Sequence, residues 1–109
     1  MVCAGVLAVS SAASACAETD EKFTSGHILK WEKDAQNNYF SISIGMAGAI
    51  AAQNKPEIAR CIDNWYFNPD SNRIENNSYI RSIFGKYPND HPSALMLAII
   101  QKKCGKLVF

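Results

Sequence analysis

Ser25 and His27 are the nearest approach in this chain to a nucleophile beside a base. Nucleophilic catalysis needs the imidazole within reach of the hydroxyl, and usually a carboxylate to orient the ring. At this spacing on a helix the two side chains point from different faces, and no carboxylate is placed to hold the imidazole. A capping serine with a surface histidine is the expectation, and no catalytic residue is assigned. His91, followed by Pro92, reads as a helix-start residue. Asp70, Asn72 and Glu75 resemble a fragment of a calcium loop, but the glycine and the final Glu of an EF-hand are missing. Turn chemistry accounts for them. Asn76-Asn77-Ser78 matches a glycosylation sequon, a pattern common by chance. Gly45 and Gly48 sit within an apolar run and not after a strand, so they form no phosphate loop. The expectation is a non-enzyme with no metal and no cofactor.

The cysteines carry the remaining covalent chemistry. Residues 1–17 contain no charged side chain, and an apolar stretch from Val2 to Val9 leads into small residues from Ser10 to Ala17. Ala15-Cys16-Ala17 fits the small-x-small pattern of a signal peptidase site, with cleavage before Glu18. Ala13-Ser14-Ala15 is a second such site. The stretch falls short of the roughly 20 apolar residues of a membrane span. No Lys or Arg follows Met1, so the signal reads as truncated at its N-terminus. A lipoprotein acylated at Cys16 is a weaker alternative, because Ala13 stands where a lipobox usually carries Leu. Residues 1–17 are thus expected to be a signal peptide and 18–109 one exported domain. Loss of the signal leaves Cys61 and Cys104, which an oxidising compartment would join. The alternative is two separate buried thiols. No further ligands stand near either cysteine to make a metal site.

These groups must be positioned by helices. Thr24-Ser25 supplies an N-cap for a first helix with Ile28, Leu29 and Trp31 on its apolar side, ending near Gln36-Asn37. Asn38 to Gln53 is the most apolar segment. Phe40 to Ile44 alternates like a strand, but the Ala-rich continuation favours a central, nearly buried helix. Asn54-Lys55-Pro56 stops it or opens the short turn that carries Cys61. Asp63 to Asn72 reads as a long connection. A third helix over Arg73–Tyr87 carries the stripe Ile80, Ile83, Phe84 and Tyr87. A fourth begins at Pro92, runs through a core-type stretch from Leu95 to Ile100, and ends at Cys104 with Gly105 behind it. The fold class is all-α, a small bundle of about four helices stapled by one disulfide.

A formal charge of +1 with no run of Lys or Arg argues against nucleic acid, which needs a clustered basic face. A small stapled chain without a catalytic site acts by presenting a surface. Trp65, Tyr66 and Phe67, with Arg73 nearby, combine the residue types that dominate interface hot spots. They are the candidate partner-binding residues, set against the reading that they cover the core beneath the connection.

Ser25-Gly26 with Ile28-Leu29, the Tyr39 to Ala49 helix with Gly45 and Gly48, and Cys61 resemble the Rap/Tai family of periplasmic immunity proteins. Tyr87-Pro88, His91-Pro92-Ser93-Ala94 and Cys104-Gly105 continue the resemblance over nearly the whole mature chain. Where many members carry a further cysteine this chain has Trp31-Glu32, and it runs Ile62-Asp63-Asn64 where the family often has proline. The resemblance implies a small, often dimeric all-α protein of the periplasm. It would bind a peptidoglycan amidase delivered by a type VI secretion system and occlude its cleft. A periplasmic acid-stress chaperone of the HdeA kind, or another non-catalytic envelope protein, is the alternative.

Overall fold

The computed structural model describes residues 22–107. The expected signal peptide, its cleavage sites, Cys3 and Cys16 lie outside the described residues. The chain is all-α, as expected: α1 is Ser25–Leu29, α2 Lys33–Asn54, α3 Pro56–Ile62, α4 Asp70–Lys86 and α5 Pro92–Cys104. A π-helical turn, Asp63–Phe67, continues α3 directly. No helix among these is long and apolar enough to cross a membrane.

α1 is short because its ends are fixed by other parts of the chain. At its start Thr24 and His27 form a capping box, in which His27 Nδ1 accepts from the Thr24 N–H at 3.1 Å. The Ser25 and Gly26 N–H groups donate, each at 2.8 Å, to the carbonyls of Asp90 and Pro88 on the α4–α5 turn. Ser25 Oγ adds a third bond to Asp90 O at 3.0 Å. A Cβ at Gly26 would lie 3.2 Å from the Pro88 carbonyl, so glycine permits this approach. At the other end, Gln36 Nε2 donates to the carbonyls of Leu29 at 3.2 Å and Trp31 at 2.9 Å. Gln36-Asn37 therefore does not end the first helix. It belongs to the first turns of α2, and from there closes α1 with its side chain.

α2 is a helix throughout, about 33 Å long at 1.5 Å per residue. Its buried side is a single stripe of Gln36, Phe40, Ile44, Ala47 and Ala51. Phe40 meets Phe84 of α4 edge-on at 5.4 Å. Arg81 of α4 lies over the Phe40 ring and donates to Gln36 Oε1 at 3.2 Å and Asn37 Oδ1 at 2.9 Å. Lys55 breaks α2, and Pro56 opens α3 at the position where a missing N–H costs nothing.

The long connection expected over Asp63–Asn72 is helical at both ends. Asparagine side chains make this possible by taking carbonyls that a helix end leaves open. Asn72 Nδ2 donates to Asn64 O and Asn68 O, and Asn76 Nδ2 donates to Trp65 O. Only Asn68-Pro69 lies between the two helical segments. Tyr87 falls just past the end of α4 and is 51% exposed, so the stripe of α4 stops at Phe84.

α5 starts on His91, whose Nδ1 accepts from the Ser93 N–H at 3.1 Å. It buries Met96, Ile99 and Ile100. Gly105 follows with φ of 102°, the left-handed geometry that favours glycine at this place. Cys61 and Cys104 form the expected disulfide with Cα atoms 5.7 Å apart, tying α3 to the end of α5. The separation of 43 residues corresponds to roughly 4 kcal/mol of restricted chain entropy. Cys61→Ser should lower the unfolding free energy by about that amount in urea titrations. Wild type under strong reductant should match it.

Candidate functional site

The candidate residues Trp65, Tyr66, Phe67 and Arg73 do not form one surface. Tyr66 is wholly buried, so it cannot offer its ring to a partner. Its hydroxyl donates to Asn77 Oδ1 and pairs with Ser41 Oγ at 3.0 Å, which joins the π-turn to α4 and α2. Trp65 is half-buried, with its indole N–H donating to Asn76 Oδ1 at 2.9 Å. Phe67 packs edge-on to Tyr66 at 4.8 Å and closes a small notch against Gly45 and Gly48. Arg73 lies on the rim and pairs with Asp70 at 3.6 Å. Three consecutive residues on any helix point in different directions, so the rings of Trp65, Tyr66 and Phe67 cannot share one face.

The other sequence motifs have structural occupations. His27 and His91 are cap acceptors, and Thr24 caps α1 in place of the expected Ser25, which is buried in the joint with Asp90. Asn72 spends its amide on the carbonyls of Asn64 and Asn68. Asn76, in the sequon, uses its amide in both directions against Trp65. Among the described residues no three potential ligands gather into a metal-binding group.

The surface that stands open lies on the other side of α2. The central helix is not nearly buried. Ile42 is 64% exposed, Met46 62% and Ile50 44%, and Leu97 of α5 faces outward beside them at 44%. Ile42, Met46 and Ile50 recur every four residues, which places them on one stripe. Between α2 and α5 runs a trough of about 500 Å³ whose sides include Ile42, Met46, Met96, Leu97 and Ile100. Leu107 also lines it, and at the opposite end Tyr39 OH pairs with Ser93 Oγ at 3.2 Å. Beyond Tyr39 sits an aromatic corner. The Phe23 ring lies 6.5 Å from Tyr39, 6.1 Å from Trp31 and 5.8 Å from His91.

Charge is missing from this face by sequence. From Ala35 to Asn54 on α2, and from Pro92 to Gln101 on α5, no residue is ionisable as an acid or base of the Asp, Glu, Lys, Arg or His kind. This apolar surface is the candidate site of the described residues. A signal for it exists in the sequence: from Tyr39 to Ala52 the segment is apolar on more than one side, beyond the single stripe that a surface helix buries.

Compared with known proteins, the chain matches no family model, no curated protein and no solved structure.

Burial pushes the Tyr66 phenol above its usual value, against smaller opposing effects from the Ser41 hydrogen bond and Arg73. The folded state thus favours the neutral phenol. That stabilisation is fully present below pH about 10, the ordinary tyrosine value, and is lost as pH rises through the higher folded value. Tyr66→Phe should cost about 1–2 kcal/mol at neutral pH, because Asn77 Oδ1 loses its buried donor. The variant should also lose less stability than wild type between pH 9 and about 11, measured by denaturant titration at each pH.

Proposed function

We propose that this protein is a periplasmic immunity protein. It binds a peptidoglycan amidase delivered by a type VI secretion system and blocks the amidase cleft without doing chemistry itself. The observation that carries this reading is the exposed, charge-free face of α2 and α5 on a disulfide-stapled helical frame. Such a frame holds a binding surface in one shape, so little is spent on ordering it when a partner arrives.

The residues of the family resemblance support the reading in a particular way. Ser25-Gly26 meets Pro88 and Asp90, Cys61 meets Cys104, and Gly48 lies against Ile62. These motifs meet in space across long stretches of chain and build the frame. The α2/α5 face draws Tyr39, Ile42, Met46 and Ser93 from the same motifs, on the side of α2 turned away from that frame. Its exposed apolar residues also suit a chaperone of the HdeA kind, which holds unfolded clients on such a surface.

The test is periplasmic co-expression with a peptidoglycan amidase delivered by a type VI secretion system. Cells carrying this protein should survive, and Ile42→Glu should weaken amidase binding by at least about 30-fold, the loss of a ~2 kcal/mol hot spot. Lysis at the same rate with and without the protein would sink the immunity reading. Protection of an acid-aggregated client enzyme, with no effect on the amidase, would replace it by the chaperone.

A further inference from the structure

Away from the α2/α5 trough, α2 meets α3 and the π-turn at a notch of about 250 Å³, lined by Gly45, Gly48, Ala59, Ile62, Asp63 and Phe67. None of these residues borders the trough. The volume lies below the roughly 300–1,000 Å³ of clefts that take drug-sized ligands, so a guest here is of side-chain size.

Asp63 is the single charged group of the lining. Its carboxylate is held in place, because Asn68 Nδ2 donates to Oδ2 at 2.9 Å and the Asn68 N–H donates to the Asp63 carbonyl at 3.0 Å. No cation of the described residues pairs with it. Arg60, one turn earlier on α3, makes no ion pair, and Arg73 is taken by Asp70. Arg81 donates to Gln36 and Asn37, and Lys103 lies over the Tyr79 ring. A carboxylate beside apolar walls repels an anion, and a neutral apolar guest would strip its water without replacing it. A guest with a cationic head and an apolar stem suits both parts of the lining. Its stem would lie on Ala59, Ile62 and Phe67, with the head on Asp63. The form of the head follows from Asn68. A guanidinium fork takes both oxygens of a carboxylate, but Oδ2 already accepts from Asn68. Oδ1 remains for a point charge such as an ammonium.

Glycine keeps the notch open. A Cβ at Gly48 would lie 3.7 Å from Ile62 Cγ2, and one at Gly45 would lie 3.9 Å from Phe67 Cζ, both ordinary contact distances. The approach of α3 and the π-turn therefore needs a small residue at each place and would accept alanine. Alanine is also the better helix former. Glycine at both leaves unfilled the space that two methyl groups would take.

We infer that this notch is a binding site for an alkylammonium group, carried by a small free amine or by a lysine side chain of another protein. The site shares no residue with the α2/α5 face and stands or falls separately from the immunity role.

The test is an amide NMR titration of the oxidised full chain with n-butylammonium. Saturable shifts should appear at Gly45, Gly48 and Asp63, in the millimolar range expected for an exposed carboxylate. n-Butanol and butyrate should leave those signals in place. Asp63→Asn keeps an acceptor for Asn68 and should weaken binding about fivefold, as should raising the salt to about 0.5 M. Gly48→Ala should melt no lower than wild type and should lose the saturable shifts. Cadaverine and Nα-acetyl-lysine N-methylamide separate the two sources. Saturation by either upholds the site, and the tighter of them assigns it to a free amine or to a lysine side chain. Equal shifts with n-butanol, an unchanged titration of Asp63→Asn, or full binding by Gly48→Ala would overturn the inference. Tighter binding of n-butylguanidinium would overturn it equally.

Discussion

One stripe of α2 holds the molecule together. Phe40, Ile44, Ala47 and Ala51 are buried, and the ring of Phe40 takes Phe84 of α4 edge-on and the Arg81 guanidinium on its face. Close packing of this kind allows a side chain little volume to spare. The small residues along α2 are therefore as telling as the large ones. Gly48 leaves room for Ile62, and the next turn toward the N-terminus, Gly45, faces Phe67. Because α3 and the π-turn can come this close, Tyr66 reaches across to Ser41, and its hydroxyl binds α2 and α4 into one polar contact inside the core. Satisfied polar groups of that sort specify a single arrangement, since any slip would leave a buried donor or acceptor unpaired.

Much of this was legible in the chain because local chemistry and long-range packing agree there. Pro92 after His91, Gly105 after Cys104 and the Thr24 cap mark helix ends that the structure keeps. The Cys61–Cys104 pairing followed from counting cysteines once residues 1–17 were set aside. The errors arose where a side chain acts on a distant backbone. Gln36-Asn37 looks like a helix end, yet Gln36 caps α1 from inside α2. The Asn-rich run after Asp63 looks like a loop, yet Asn72 and Asn76 supply the hydrogen bonds that let helix persist on both sides of it. Asparagine favours turns by bonding local backbone. Propensity does not say whether that backbone belongs to a turn or to the frayed end of a helix.

The candidate surface shows a second limit. Trp65, Tyr66 and Phe67 were singled out by residue type, which is a sound guide at an interface and an equally sound guide to a core. Burial of Tyr66 puts that ring in the core, and a helical turn of five residues is too short to show a period in the sequence. The open face was hidden for the opposite reason. Ile42, Met46 and Ile50 belong to a segment so apolar that it reads as a nearly buried helix, and its exposed side is visible only in the fold.

That exposed side has an energetic consequence for the rest of the fold. Fully burying an aliphatic side chain of this size is worth about 1.5–3 kcal/mol, so four residues left about half exposed forgo roughly 3–6 kcal/mol. The disulfide contributes roughly 4 kcal/mol through the unfolded chain, a gain of the same order. The staple joins α3 to the end of α5 and leaves α2 free on its outer side. A small domain without it would need those four residues in its own core. With it, the apolar stripe of α2 can stay at the surface while the frame keeps its shape.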